Sequence, residues 1–424
     1  MSDISLFPQK GFRDMYPVQK SQQEYIFSNL RSIAALHGFQ QYDGPILEDI
    51  SIYLEKTSRE LIDRQTFQVK DRNDKTLVLR PEMTPSLARM IANKSHELIF
   101  PLRVSNIGLR FRYEAPQKGR EREFYQADFD ILGTDSIIAD VEIISTAIAI
   151  FTSFGATEKD FTVHINSRRY IEDTFVGFGI VKEDIGKILA IIDKKDKIAF
   201  AEFDTELSTL VSTDVKAKVL QVLSDPSHAS QYTYFSQLLS YLKKLHLDQY
   251  VTIDTTIVRG LDYYTGLVFE VKEIGSLKRS MLGGGRYDNL VSQFNEKLNI
   301  PGVGFATSDV VLQAFLTEKE LLPPAQPVPT KVLVTIFDES VIDDAMAVAH
   351  LLRSEHIPTE LFPDANKKID KQIKYADKNN IPFVIIIGPE EAQHHKLNIK
   401  ALAKHTQVTV DNTKEAILKV IHNP

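Results

Sequence analysis

Leu109-Arg110-Phe111-Arg112-Tyr113-Glu114-Ala115-Pro116-Gln117-Lys118-Gly119-Arg120 leads into Glu121-Arg122-Glu123-Phe124-Tyr125-Gln126-Ala127-Asp128-Phe129-Asp130-Ile131-Leu132-Gly133. Leu109 to Glu114 alternates apolar and charged side chains, the period of a strand with one wet face. Ala115 to Arg120 carries the Pro and Gly that interrupt pairing, and Glu121 to Gly133 resumes the alternation, so the stretch predicts a β-hairpin. Its charge exceeds what a solvated ribbon needs. Arg110, Arg112, Lys118, Arg120 and Arg122 sit beside Glu114, Glu121, Glu123, Asp128 and Asp130. Guanidinium groups suit phosphate, because one planar fork can hold two oxygens. Charges that merely pair across strands are the plainer reading of such a hairpin.

Composition narrows the field. A chain of 424 residues is too long for one ordinary core, so two or three domains are expected. Hydrophobic residues at 43% and charged residues at 25% fit a globular protein. The absence of cysteine excludes disulfides, zinc-thiolate sites and thiol nucleophiles. The first residues lack a signal-peptide pattern, and no stretch approaches the roughly 20 apolar residues of a membrane helix, so a cytoplasmic protein with no membrane partner is expected. The net charge of −7 does not exclude a nucleic-acid partner, which responds to local basic surface.

Elsewhere, Gln19 to Leu36 predicts a long helix, and Phe39 to Leu47 a short strand with Pro45 at an edge. Phe67 to Leu79 reads as a hairpin turning at Arg72-Asn73-Asp74, delivering Arg80-Pro81-Glu82-Met83-Thr84-Pro85 to a helix start. Residues 140–151 form a strongly apolar helix, and Phe161 to Asn166 a strand on which His164 reads as a satisfied core or rim histidine in preference to a catalytic base. Residues 170–250 turn helical and lysine-rich. Thr252 to Thr256 alternates as a strand into Val258-Arg259-Gly260-Leu261-Asp262-Tyr263-Tyr264-Thr265-Gly266, whose glycines let backbone approach a ligand. Two adjacent tyrosines on a strand would point to opposite faces. Gly283-Gly284-Gly285-Arg286-Tyr287-Asp288 lacks the spacing of a dinucleotide loop and reads as close backbone packing. Residues 321–330 are a proline-rich linker. From Lys331 to Gly388 the pattern is βαβαβ, predicting a small α/β domain with a central buried sheet.

Four stretches together carry a resemblance. The hairpin resembles motif 2 of the class II aminoacyl-tRNA synthetases, and specifically of the histidyl-tRNA synthetase family. Leu79-Arg80-Pro81-Glu82-Met83-Thr84-Pro85, the Arg259 to Gly266 run and Gly283 to Asp288 resemble that family's other signatures, in its order and at similar spacings. The resemblance implies an α+β fold. Residues 1–320 would be a class II antiparallel-sheet catalytic domain with a helical insertion about 170–250, and 331–424 an α/β anticodon-binding domain. It implies a ligase that activates L-histidine with ATP, Mg2+ accompanying the nucleotide, and transfers it to tRNA(His). The Gln19 to Leu36 helix with the Pro45 strand resembles motif 1, which implies a homodimer. By the same resemblance Arg112 and Arg259 are catalytic, touching both substrates. Glu82, Thr84 and Gln126 would hold the polar backbone groups of histidine, while Asp130, Tyr263 and Tyr264 would read its imidazole. Phe124 would stack on adenine, with Glu114 and Arg120 orienting ATP.

One position departs. After Pro301 to Ala306, which matches the strand opening motif 3, the family places an arginine where this chain has Val311. That departure also admits a catalytically weak or inactive paralog, such as the regulatory subunit of ATP phosphoribosyltransferase.

Overall fold

The computed structural model describes residues 5–54, 65–117, 119–195, 198–258, 263–275, 280–325 and 327–422. The chain divides into two compact units, one of Met1–Asp14 with Gln22–Pro323, the other of Met15–Ser21 with Pro324–Pro424. In the first unit the strands are β1 (Gln40–Gln41), β2 (Leu47–Asp49), β3 (Phe67–Lys70), β4 (Thr76–Leu79), β5 (Leu102–Phe111), β6 (Glu123–Leu132), β7 (Phe161–Ser167), β8 (Val251–Ile253), β9 (Leu267–Glu273), β10 (Ser280–Arg286) and β11 (Gly302–Ser308). Eight of them form one sheet in the order β1-β5-β6-β11-β10-β9-β7-β8. Its two outermost pairings are parallel and the five between them antiparallel. A three-stranded sheet, β2-β4-β3, includes the hairpin read from Phe67 to Leu79.

The β5–β6 pair has two chemically distinct faces. Ala127, Phe129 and Ile131 join a core shared with Ile26, Phe27 and Leu30 of the Pro17–Leu36 helix and with Ile143, Ile144 and Ala147 of the Ile137–Ser153 helix. The alternate residues of β6, Phe124, Gln126, Asp128 and Asp130, lie on the other face by the two-residue period of a strand. Their β5 partners are Arg110, Gly108, Asn106 and Val104. One period therefore separates core from site. The Ile137–Ser153 helix starts at Ser136, whose hydroxyl accepts from Ile138 N–H. It is buried nearly all round because the sheet covers one side and the helical segment the other: Tyr234, on the Thr233–Lys244 helix, donates its hydroxyl to Asp140 at 2.9 Å.

That helical segment comprises Arg168–Gly177, Lys182–Asp193, Phe200–Ser208, Thr213–Ser224 and Thr233–Lys244, packed through Phe175, Phe203, Val219, Phe235 and Leu238. Two expectations need correction. The strand read from Phe39 to Leu47 is two pieces in different sheets, β1 and β2. Asp43 and Gly44 between them are used by a side chain instead of a ladder: Arg80 donates from Nη1 to Asp43 Oδ1 and to the Gly44 carbonyl, each at 2.7 Å. Tyr263 and Tyr264 are not on a strand, since β9 begins at Leu267, so strand alternation does not govern them.

The glycines of β10 sit at close approaches. A Cβ on Gly284 would collide with the Gly304 carbonyl oxygen, and one on Gly285 would meet the Tyr264 ring at 2.8 Å. Arg286 follows them with Nη2 2.6 Å from Asp140 in a buried ion pair.

In the second unit β12 (Val332–Val334), β13 (Thr359–Leu361) and β14 (Phe383–Ile386) are parallel, and β15 (Lys396–Ala401) and β16 (Thr406–Asp411) continue the sheet antiparallel. The order is β13-β12-β14-β15-β16. Gln372, fully buried, donates to the Ile336 carbonyl and accepts from Ile336 N–H, tying a helix to the end of the central strand. Among the described residues no helix is long and apolar enough to cross a membrane.

Candidate functional site

Beyond Phe111 the hairpin leaves the sheet. Arg112 N–H still donates to the Arg122 carbonyl at 2.9 Å, but Gly119, at φ +76°, and the Gln117–Arg120 bridge close a turn away from the ladder. Arg112 donates from Nε to the Pro81 carbonyl at 2.9 Å, and its guanidinium carbon stands 5.5 Å from the centre of the Phe124 ring. Arg120 Nη1 reaches Glu114 Oε2 at 3.2 Å. These residues and Gln126 line a cavity of about 470 Å³. Its remaining wall comes from Met281, Leu282 and Gly283 of β10, Ala306 to Ser308 of β11, and Val310 and Val311. A ring, two guanidinium groups and two carboxylates, with Gln117, Ser280, Thr307 and Ser308 among the other lining residues, can take a flat heterocycle with an anionic tail.

Val311 lies in the first turn of the Asp309–Glu318 helix, 5% exposed, its N–H bonded to Ser308 Oγ at 3.3 Å. Asp309 beside it is held on three sides, by Arg13 Nη2 at 2.9 Å, Gln23 Nε2 at 2.9 Å and Tyr125 N–H at 3.0 Å. Sequence reasoning gave Asp309 and Arg13 no role. The charge of this helix start is thus spent inside the protein.

Next to the cavity is a buried cluster of polar and aromatic side chains. The helix after Pro81-Glu82 begins at Thr84 without a side-chain cap, with Pro85 in its first turn. Tyr263 donates its hydroxyl to Glu82 Oε2 at 3.3 Å and is also bonded to Thr84. Tyr53, below, lies 3.1 Å from Ser86 Oγ. Tyr263 and Tyr264 meet edge to face at 5.1 Å, and Tyr263 and Tyr287 at 6.1 Å. Tyr287 donates to Asp130 Oδ1 at 2.5 Å. Gln126, donating to Asp128 Oδ1 at 2.8 Å, stands between the cavity and this cluster on the same face of β6.

Burial pushes the Asp130 carboxyl up to about 8, the nearby Asp128 adding to it, while the Tyr287 hydroxyl and Arg110 pull the other way. Tyr263 and Tyr287 are raised well above the ordinary phenol range, burial being the main cause.

The arginines of the hairpin divide. Arg110, read from sequence as a phosphate ligand, is fully buried and gives Nη2 to Asp128 Oδ2 and Asn106 Oδ1, each at 2.7 Å. Among the described residues, Arg112 and Arg120 are the arginines that line the cavity. Arg259 and Lys118 lie outside the described residues. His164 bonds Asp254 through Nδ1 at 3.0 Å at the far end of the sheet. Tyr287 and Tyr42 complete the buried cluster without having been singled out; their position beside the glycine run and the Asp43-Gly44-Pro45 break were the available signals.

Compared with known families, residues 11–309 match the histidyl-tRNA synthetase profile and residues 331–420 the anticodon binding domain profile. A histidine–tRNA ligase of Leptospira biflexa is 33% identical over 425 residues, covering 97% of this chain and 96% of its own. The histidyl-tRNA synthetase structure from Nostoc sp. PCC 7120 superposes with a TM-score of 0.81 at 25% identity, over 99% of both chains. A Bacillus halodurans structure titled as an ATP phosphoribosyltransferase regulatory subunit/histidyl-tRNA synthetase gives 0.71 at 22% identity, covering 88% of this chain and 97% of its own. At that identity the last likeness concerns fold alone.

Proposed function

The chain belongs to the histidyl-tRNA synthetase family, and from that premise we propose that it is a histidine–tRNA ligase, joining L-histidine to ATP as histidyl-adenylate and passing the histidyl group to the 3′ end of tRNA(His). One observation carries this reading: an open, charged cavity and a buried, phenol-rich cluster adjoin on one face of β6, with Gln126 between them. The cavity suits the nucleotide and the pocket the amino acid.

In this scheme the carboxylate of histidine attacks the α-phosphorus of ATP and pyrophosphate leaves. The work of the protein is placement and neutralisation of developing charge. Phe124 stacks on adenine, with Arg112 beside the ring to hold the α-phosphate. Arg120, steadied by Glu114, orients the triphosphate, which enters with its Mg2+. Arg259 stabilises charge as the new bond forms. Glu82 and Thr84 hold the ammonium group, Gln126 the carboxylate end, and Asp130 with Tyr263 and Tyr264 the imidazole. A buried acid paired to a ring N–H rejects side chains that lack one, because its oxygen would then stay unpaired. The anticodon domain binds tRNA, and the Pro17–Leu36 helix builds a cytoplasmic homodimer.

Incubating the purified protein with tRNA(His), ATP and labelled histidine should yield histidyl-tRNA; labelled histidine left free after long incubation refutes the assignment. A second reading draws on Val311. The helix that begins at Asp309 offers the cavity no cation, as a catalytically weak or retired paralog would have it.

A further inference from the structure

Two carboxylates stand two residues apart on the site face of β6, and they are treated in opposite ways. Asp128 receives the Arg110 guanidinium at 2.7 Å and the Gln126 amide at 2.8 Å. Among the described residues Asp130 receives one phenol, Tyr287, on Oδ1. Its Oδ2 is sealed from solvent with no partner, as is the Tyr42 hydroxyl. These two oxygens belong to one cluster: the Asp130 charge acts on Tyr42, Tyr263 and Tyr287 alike. The groups that face Asp130 are Tyr287 after β10, Tyr42 after β1, Tyr263, Arg110 from β5, and Asp128 from its own strand. Among the described residues Arg110 is the cation that acts on Asp130; it is engaged by Asp128 and leaves its own Nε unpaired without turning it to Asp130, while Arg80, which acts on Tyr42, is held by Asp43. An ionised carboxylate without a cation or a second donor is costly in such a place.

We propose that Asp130 awaits its substrate as a neutral carboxylic acid and hands its proton to the imidazole of bound histidine, so that the amino acid is held as an imidazolium against a carboxylate. This rests on the histidine reading of the pocket. The Oδ2–H bond breaks, the ring nitrogen lone pair forms the new N–H bond, and no further reactant is required. The site then recognises basicity as well as shape. An acid and a base whose environments set them apart before binding exchange roles on contact, the logic by which paired titrating groups are assigned elsewhere.

The consequence is a pattern of proton exchange. Free imidazole titrates near 6.5, and Asp130 is pushed up to about 8 by burial. Between those values neutral histidine meets neutral Asp130, and binding moves a proton without taking one from solvent. Above about pH 8 the acid has lost its proton, so binding must take one up, and affinity falls about tenfold per pH unit. Below about 6.5 histidine arrives protonated and one proton must leave.

Calorimetric titration of histidine in buffers of different ionisation enthalpy measures this count. We expect near zero protons at about pH 7.2 and, at about pH 9, about one proton more taken up by the native protein than by Asp130→Asn, whose remaining uptake belongs to the α-amino group that the site holds as an ammonium. One proton taken up at the lower pH would mean Asp130 is already ionised, and no difference from Asp130→Asn at the higher pH would mean that the Asp130–imidazole pair gains no proton; either overturns the proposal, as does a protonated-carboxyl infrared band that persists when histidine binds, since the count does not say which partner holds the proton. The infrared carbonyl band of a protonated carboxyl group in the histidine-free protein, lost in Asp130→Asn, gives a reading that needs no ligand, and its absence overturns the proposal as well. A protein that shows this band yet binds no histidine at any pH would instead refute the function on which the proposal rests.

Discussion

The cavity around Arg112 and the pocket around Asp130 share one strand and one face, yet they handle charge by opposite means. In the cavity, Arg120 is half exposed and its partner Glu114 reaches water. Charges there stay solvated and remain free to rearrange around an anion. In the pocket, Arg110 and Asp128 are 0% and 3% exposed, and phenols and the Gln126 amide supply further donors. Exposed pairs contribute little to stability, whereas a buried pair is costly to break, so the same residue type does different work a few ångströms apart. Position along the hairpin decides which. Arg110 is the last arginine inside the ladder and Arg112 the first beyond it.

The largest expected effect tests that division. Arg110→Ala leaves Asp128 buried without its cation and should destabilise the protein by roughly 3–5 kcal/mol in urea unfolding. Arg112→Ala should leave the urea midpoint nearly unchanged while lowering the rate of adenylate formation by about 10²- to 10³-fold. Equal loss of stability in both variants would erase the distinction. Arg259→Ala should likewise lower exchange steeply, with histidine binding largely retained in calorimetry.

Much of this contrast could be read from the chain before any coordinates, and its limits are physical. The alternation of Phe124 to Asp130 gave both faces of β6, and the Gly283 to Gly285 run gave its close packing, because period and absent side chains are local properties. Arg110 and Arg112 were indistinguishable in sequence, since an alternating pattern does not say at which residue the ladder stops. Tyr287 and Tyr42 are apolar by pattern and gain meaning only where tertiary packing brings their hydroxyls to Asp130. Tyr263 and Tyr264 misled because neighbouring residues alternate only on a strand.

A smaller effect sharpens the pocket side. The Asp130 carboxyl is raised in the folded protein, so between about pH 4 and 8 the unfolded chain has released a proton that the native state retains. Stability contributed by this group is complete below its unfolded value and is lost as pH rises through that window, at no more than about 1.4 kcal/mol per unit. Asp130→Asn should flatten this decline, raising the urea midpoint at pH 8 more than at pH 5. A midpoint shift equal at both pH values would contradict the raised carboxyl.

The smallest effect concerns the cavity. If Arg112, Arg120 and Arg259 neutralise the triphosphate without help from the Asp309–Glu318 helix, Val311→Arg should lower the Michaelis constant for ATP a few-fold, with kcat little changed, because a γ-phosphate contact acts in ground and transition states alike. An unchanged constant would mean that the added charge finds no phosphate there, or is held by Glu114 or Glu121.

Histidine-dependent exchange of pyrophosphate into ATP tests the central claim most directly, since it requires both pockets to act together and needs no tRNA. The account predicts exchange well above background that appears only when histidine is added. Background exchange in the native protein and in Val311→Arg, with histidine still bound in calorimetry, would contradict it and leave a histidine-binding relative that no longer activates its ligand.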